Sequence, residues 1–349
     1  MSAVIIGTGH DLPEQVVTND ELEAMGVGYD RARAGGKSLD EWVMARTGVH
    51  SRHRARLGVE GSSDFGTRAA QKALAMAGLK GSDLDLIIMS TYTSDHRAPN
   101  SAAIMQDNLD ATCKFLQLDG ACPGFVDAVI LADAMMQFMN VHTALVVSSD
   151  ITTLYCLPTD FMMMTTFGDG AGAAVLRREP GSPYGVKAHV TGTKGSIGKA
   201  LWVPGGGTKE PPSFEVLAQG RQYAQWSHKE TYAFATEKLA EGIVQVAERA
   251  GWSLDEVKWY IPHQAGRNIA LDAARNVGQP AEKFIINIDH TGNTSGASIP
   301  IAMDEANRAG RFADGDKIIL SAMGAGLAWG AVALVWYDPA RAAAEGKHP

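Results

Sequence analysis

Apolar and polar positions fall into short blocks along this chain. β-rich runs alternate with helices rich in small residues, which is the pattern of layered α/β architecture. Ala3 to Gly9 carries four apolar residues ending in glycines and predicts a first strand. A helix over Thr67 to Ala77 leads into a buried strand at Leu84 to Ser90, and a helix over Pro123 to Met139 leads into another at Thr143 to Ser149. A further short strand is expected at Phe284 to Ile288.

The blocks also repeat. Helix, Ala77-Gly78, an Asp-containing turn and Leu86 to Ser90 are echoed by helix, Ala250-Gly251, Leu254-Asp255 and Trp259 to Ile261. Phe167 to Val175 resembles Met323 to Val332 in the same way. A duplicated α/β unit explains both echoes, with the join near Glu179 to Tyr184. Gly26 to Ser38 and Pro204 to Gly220 read as loops inserted on this frame, and loops of that length are functional or mobile. The tail after Pro339 is expected to fray.

Composition narrows the classes of function. A chain of 349 residues, 45% hydrophobic and 20% charged, is expected to be soluble and globular, as one or two domains or two fused halves. Its net charge of −8 argues against a nucleic-acid footprint and a polybasic membrane anchor, while leaving room for a local basic mouth. No run approaches the ~18 apolar residues of a membrane span, and the first strand lacks the basic flank of a secretory segment. Three scattered cysteines, Cys113, Cys122 and Cys156, make no disulfide framework and no CxxC pair. A reducing, cytoplasmic setting is expected.

The candidate chemistry lies in three segments. Asp119-Gly-Ala-Cys-Pro-Gly-Phe125 stands directly before a helix, with Pro123 where a missing N–H costs nothing. Cys122 is thereby placed at a helix N-terminus, where the dipole favours thiolate and is expected to lower a thiol pKa from about 8.5. Cys113 and Cys156 lack such a setting and read as small buried hydrophobes. His263, in Pro262-His-Gln-Ala-Gly266, follows a strand end and can project into a pocket. Asn293, in Gly292-Asn-Thr-Ser-Gly-Ala-Ser298, lies in a stretch that taken alone is a turn. Asp169 and Gly205-Gly-Gly207 lack the strand and helix context of a phosphate cradle and are assigned to turns. His10, His53, His96, His189 and His290 show no ligand spacing, so no metal is expected.

Several segments in order, GTGHDLPEQVVTNDEL, Asp40 to Gly48, ACPGF, FGDGAGAAV, PHQAG, GNTSGAS and GAGLAWGAVAL, resemble β-ketoacyl-ACP synthase III, a condensing enzyme of the thiolase superfamily. The resemblance implies a thiolase fold of duplicated α/β halves in five αβαβα layers. Residues 1–180 would carry the nucleophilic Cys, and 181–349 the His and Asn. It implies Cys122, His263 and Asn293 as the catalytic set, and an oxyanion hole from the backbone N–H groups of Cys122 and Ala325, where the family usually has glycine. Trp42, Arg46, Arg267 and Asn268 would hold the CoA or phosphopantetheine portion of thioester substrates. No permanently bound cofactor is implied, and acyl-CoA, an acyl carrier protein and a second copy in a homodimer are the implied partners.

Leu154 and Phe161 stand where the family commonly has basic residues, which favours a carrier-protein or otherwise unusual donor and a specialised relative. Met162-Met-Met164 beside them reads either as a pocket wall for an acyl chain or as core and interface packing. The expected reaction is acyl loading on Cys122 followed by decarboxylative Claisen condensation with a malonyl-type or β-ketoacyl thioester. Joining of two preformed acyl chains, acyl transfer to a hydroxyl or amine, and a non-catalytic condensing subunit remain open beside it.

Overall fold

The computed structural model describes residues 2–338; the expected fraying tail and the end of the second half lie outside the described residues. Two sheets form its frame. The first runs Ser2–Asp11, Asp169–Glu179, Thr143–Ile151, Leu86–Ser90, Lys114–Leu118; its first two pairings are antiparallel and the rest parallel. The second runs Gly185–Thr193, Ala328–Val335, Lys317–Gly324, Trp259–Pro262, antiparallel twice and then parallel. Strand by strand the second repeats the order of the first, and the chain passes between sheets from Glu179 to Gly185.

The fifth position of the second sheet holds no strand. Phe284 makes an isolated bridge to Tyr260, and a short helix begins at Ile288, so the strand expected at Phe284 to Ile288 is reduced to one residue. The reason is local. The Gln264 side chain takes the hydrogen bonds a strand neighbour would take, donating to the Ile285 carbonyl at 3.1 Å and accepting from the Asn287 N–H at 3.1 Å.

Helices Gly124–Phe138 and Ser298–Arg308 lie between the sheets, in one core with Ile88, Val146, Ile261 and Leu320. Ser62–Ala77 and Ser101–Asn108 cover the outer face of the first sheet, and His228–Ala250 and Arg267–Asn276 that of the second. Five layers result. Each fully buried Leu, Ile or Phe contributes about 1.5–3 kcal/mol to holding them together. The outer helix Ser62–Ala77 sits close because its partners are small. A Cβ on Gly9 would lie 2.3 Å from the Ala69 carbonyl oxygen, and one on Gly7 equally near that of Ala73.

Two helix starts differ from the expected ones, Ser62 standing five residues before Thr67 and Gly124 one after Pro123. Gly26 to Ser38 is a loop, tied down where the Tyr29 hydroxyl donates to the Lys37 and Ser38 carbonyls. Pro204 to Gly220 contains a short helix, Phe214–Ala218. Asp169 opens a strand and is not in a turn. It is fully buried and accepts from the Ala55 and Thr153 N–H groups and the Thr153 hydroxyl.

Candidate active site

The two inner helices begin at the same place in the molecule, and that is where the predicted chemistry gathers. Cys122, His263 and Asn293 line one cavity of about 630 Å³. Pro123 caps the helix that follows Cys122, and Ala121 ahead of it is held at φ +46°. Gly324, at the end of its strand, lets that turn approach. A Cβ there would lie 2.4 Å from the Cys122 Cβ and 2.9 Å from Sγ.

The Cys122 thiol does not follow the expected direction. Burial pushes it up to about 11, against hydrogen bonds from the Ser295 hydroxyl and the Ala325 and Cys122 N–H groups that pull it down. The helix-start argument accounts for the donors at the sulfur and omits the loss of water, which is the larger effect. The same two N–H groups were expected to form the oxyanion hole. Ala325 lies outside the positive-φ region, so a side chain costs nothing at this backbone position.

His263 is 1% exposed, and burial lowers its pKa to about 3, so the ring is neutral. Its Nδ1 lies 2.7 Å from the Ser298 hydroxyl, which also accepts from the Gln264 N–H at 3.3 Å. With the Ser298 hydroxyl donating to Nδ1, the ring hydrogen would sit on Nε2. Asn293 is oriented by the same turn. Its Oδ1 accepts from the Ser295 N–H at 2.8 Å, which leaves Nδ2 as the group free to donate.

Behind the sulfur, the Asp150 carboxylate accepts from the Tyr92 N–H at 3.1 Å, the Thr91 hydroxyl at 3.2 Å and the Gly296 N–H at 3.3 Å. Burial raises it to about 7. A second cavity of about 520 Å³ also reaches Cys122, with Ala325, Met163, Tyr92, Tyr155 and Gln222 among its walls.

The other predicted residues divide. Arg46, Asn268 and Met162 line the main cavity, and Asn268 Nδ2 donates to the Arg46 carbonyl at 2.7 Å. Trp42 does not line it. Its ring has the Arg46 guanidinium 4.0 Å above it and packs edge-on against Phe161 at 5.2 Å and Tyr29 at 6.4 Å. Arg267 packs against Gly48, Met164 and Phe161 join the cluster around Trp42, and Leu154 is exposed. The methionine run therefore splits, one residue to each cavity and one to the core. Cys156 is buried beside Met163 and Phe167, and Cys113 is half-buried, as small hydrophobes are. Among the described residues no three His, Cys, Asp or Glu side chains group so as to hold a metal ion.

Asp150, Ser295 and Ser298, and Trp226 and His228 on the wall of the main cavity, are not singled out by the sequence. The serines lie inside the Asn293 segment and Asp150 is the penultimate residue of the strand Thr143–Ile151, so their positions were visible but their partners were not.

The solved 3-oxoacyl-(acyl carrier protein) synthase III of Pseudomonas aeruginosa PAO1 superposes with a TM-score of 0.87, at 32% identity, over 97% of this chain and 99% of its own. The priming β-ketosynthase of the R1128 polyketide pathway gives 0.85 at 26% identity over 97% of each chain. Fold and neighbours define a thiolase-fold condensing enzyme. Family models described as 3-oxoacyl-[acyl-carrier-protein (ACP)] synthase III match residues 116–195 and, for its C-terminal part, 247–336. The β-ketoacyl-[acyl-carrier-protein] synthase III of Symbiobacterium thermophilum is 38% identical over 95% of this chain and 97% of its own length. The chain belongs to the β-ketoacyl-ACP synthase III family and is an acyl-transferring enzyme.

Proposed function

We propose that Cys122 accepts an acyl group from a thioester and that the acyl-enzyme then condenses with a malonyl-type thioester as CO2 leaves. The convergence of Cys122, His263 and Asn293 on one cavity carries this reading. The hydrogen bonds that leave His263 Nε2 and Asn293 Nδ2 as donors support it further. Both would donate to the extender's thioester carbonyl and stabilise the enolate formed on decarboxylation, each donor contributing on the order of 10²–10³ in rate. The N–H groups of Cys122 and Ala325 would hold the oxyanion of the tetrahedral intermediate.

Trp42 is committed to contacts with Arg46, Phe161 and Tyr29. That packing supports a donor presented on a carrier protein over a free CoA whose adenine would need the ring. Joining of two preformed acyl chains draws support from the second cavity, which gives the sulfur a chamber on each side.

Intact-mass spectrometry with panels of acyl-CoA and acyl-carrier donors tests the reading. A mass gain on the wild type, absent in Cys122→Ala, is expected, followed by release of an extended product and CO2 on adding malonyl thioester. Failure of every donor to load Cys122 would overturn it, and release only to an alcohol or amine would make the enzyme a transferase.

A further inference from the structure

A buried charge is costly to desolvate, and the loss is recovered only through well-made partners. Arg52, on the strand Ser51–Arg54, is a fully buried guanidinium whose hydrogen bonds all end on uncharged oxygens. Nη1 donates to the Val17 carbonyl at 2.9 Å, and Nη2 to the Thr165 carbonyl at 2.7 Å and to Asn19 Oδ1 at 2.5 Å. Nε has no partner among the described residues. Burial, with Arg54 nearby, lowers its pKa to about 9, so the group keeps its charge at neutrality.

What this charge holds lies directly behind Asn293. Thr165 and Thr166 end the helix Phe161–Thr166, and the last carbonyls of a helix have no partner within it. Arg52 takes the Thr165 carbonyl, and the Asn293 N–H takes the next one, donating to Thr166 at 2.8 Å. The Gly168 N–H returns a bond to the Asn293 carbonyl at 3.1 Å. The stem of Arg52 closes the same turn from the side. A Cβ on Gly292, the residue before Asn293, would lie 3.1 Å from the Arg52 Cβ and 3.0 Å from the Thr166 carbonyl oxygen, and φ there is +65°. Only glycine fits that backbone and that space.

The guanidinium is itself aimed from the far side. Asn19 accepts it through Oδ1 and spends both hydrogens of Nδ2, on Asp40 Oδ1 at 2.8 Å and on the Val49 carbonyl at 2.8 Å. Asp40 belongs to the helix Leu39–Arg46, whose last residue lines the main cavity.

We propose that Arg52 is a positioning residue for condensation, which holds the end of the helix Phe161–Thr166 against the Gly292 turn and so sets where the Asn293 amide donates. It acts through Asn293. A misplacement of about 1 Å at a reacting group can cost on the order of 10² in rate. The turn of Cys122 is built on Pro123 and Gly324, from other segments, so acyl loading is largely spared.

The inference rests on Asn293 serving the second half of the proposed reaction, and the experiment keeps the two apart. Full-length Arg52→Met is loaded with S-acetyl-N-acetylcysteamine, and the acetyl-enzyme is mixed with increasing malonyl-N-acetylcysteamine, both steps being followed by intact mass. It should load within about threefold of wild type and condense about 10- to 100-fold more slowly at saturation, with half-saturation moved less than about threefold. Asn19→Leu, which removes the acceptor that aims the guanidinium, should show the same split to a smaller degree. Condensation by Arg52→Met within twofold of wild type would overturn the assignment. So would a parallel loss of both steps in both variants, failure to load included, because that marks a residue needed only for the fold. Asn293→Ala condensing at the wild-type rate would instead remove the role of Asn293 on which the assignment stands.

Discussion

Two serines decide what His263 and Asn293 can do, because each engages the polar atom that would otherwise accept from the substrate. Ser298→Ala removes the hydroxyl at Nδ1 and lets the His263 hydrogen sit on either nitrogen. The expected result is a condensation rate lowered about tenfold with loading of Cys122 unchanged, read by single-turnover mass spectrometry. Equal loss in both steps would contradict the assigned tautomer. At this scale the sequence named three residues that line one cavity and missed their supports. Ser295 and Ser298 lay in plain view within the Asn293 segment, but a serine in a run of small polar residues carries no mark of which atom it faces. The direction of the Cys122 pKa was misjudged for a related reason. A helix start can be read from Pro123, whereas the depth at which the thiol is buried depends on residues two hundred positions away, such as Gly324.

The strands and helices were more legible than their ends. Alternation and small-residue periodicity located the inner helix Gly124–Phe138 and the strand Thr143–Ile151 nearly intact. The segment Phe284 to Ile288 failed because β-like residues need a ladder to pair with, and the Gln264 side chain occupies the ladder's place. What no periodicity reveals is how closely elements approach. Gly324 ends a strand where any Cβ would press on Cys122. Gly324→Ala is expected to lower stability by about 1–3 kcal/mol through overpacking. It should also slow acyl loading at least tenfold by displacing the sulfur. Thermal unfolding and intact-mass loading rates check the two effects, and an unaltered loading rate would show that the sulfur tolerates the displacement.

Taken whole, the molecule carries two histidines whose protonation opposes each other across the pH scale. His290 is raised to about 9, first by its hydrogen bond to Glu305 at 3.0 Å, so its stabilisation is complete below the ordinary 6.5 and is lost as pH rises through 9. His263 is lowered to about 3 by burial, so the unfolded chain binds a proton that the folded chain refuses. Stability on its account falls as pH drops below 6.5 toward 3. Melting temperature against pH should therefore decline on both sides of neutrality, and His290→Gln should flatten the alkaline side alone. The five layers were implied by a family resemblance and the duplicated halves by repeats in the chain, and the sheet orders agree with both. The two cavities meeting at one sulfur were not foreseeable, since their walls come from segments distant in sequence.

The shared cavity has a further meaning. Cys122, His263 and Asn293 open onto one space, so a thioester lying against the sulfur occupies the ground on which the next must stand. On the proposed reaction, the carrier of the first acyl group would have to withdraw before its successor could arrive. Timing would then be a matter of vacancy, with the space shared by Cys122, His263 and Asn293 receiving the two thioesters in turn.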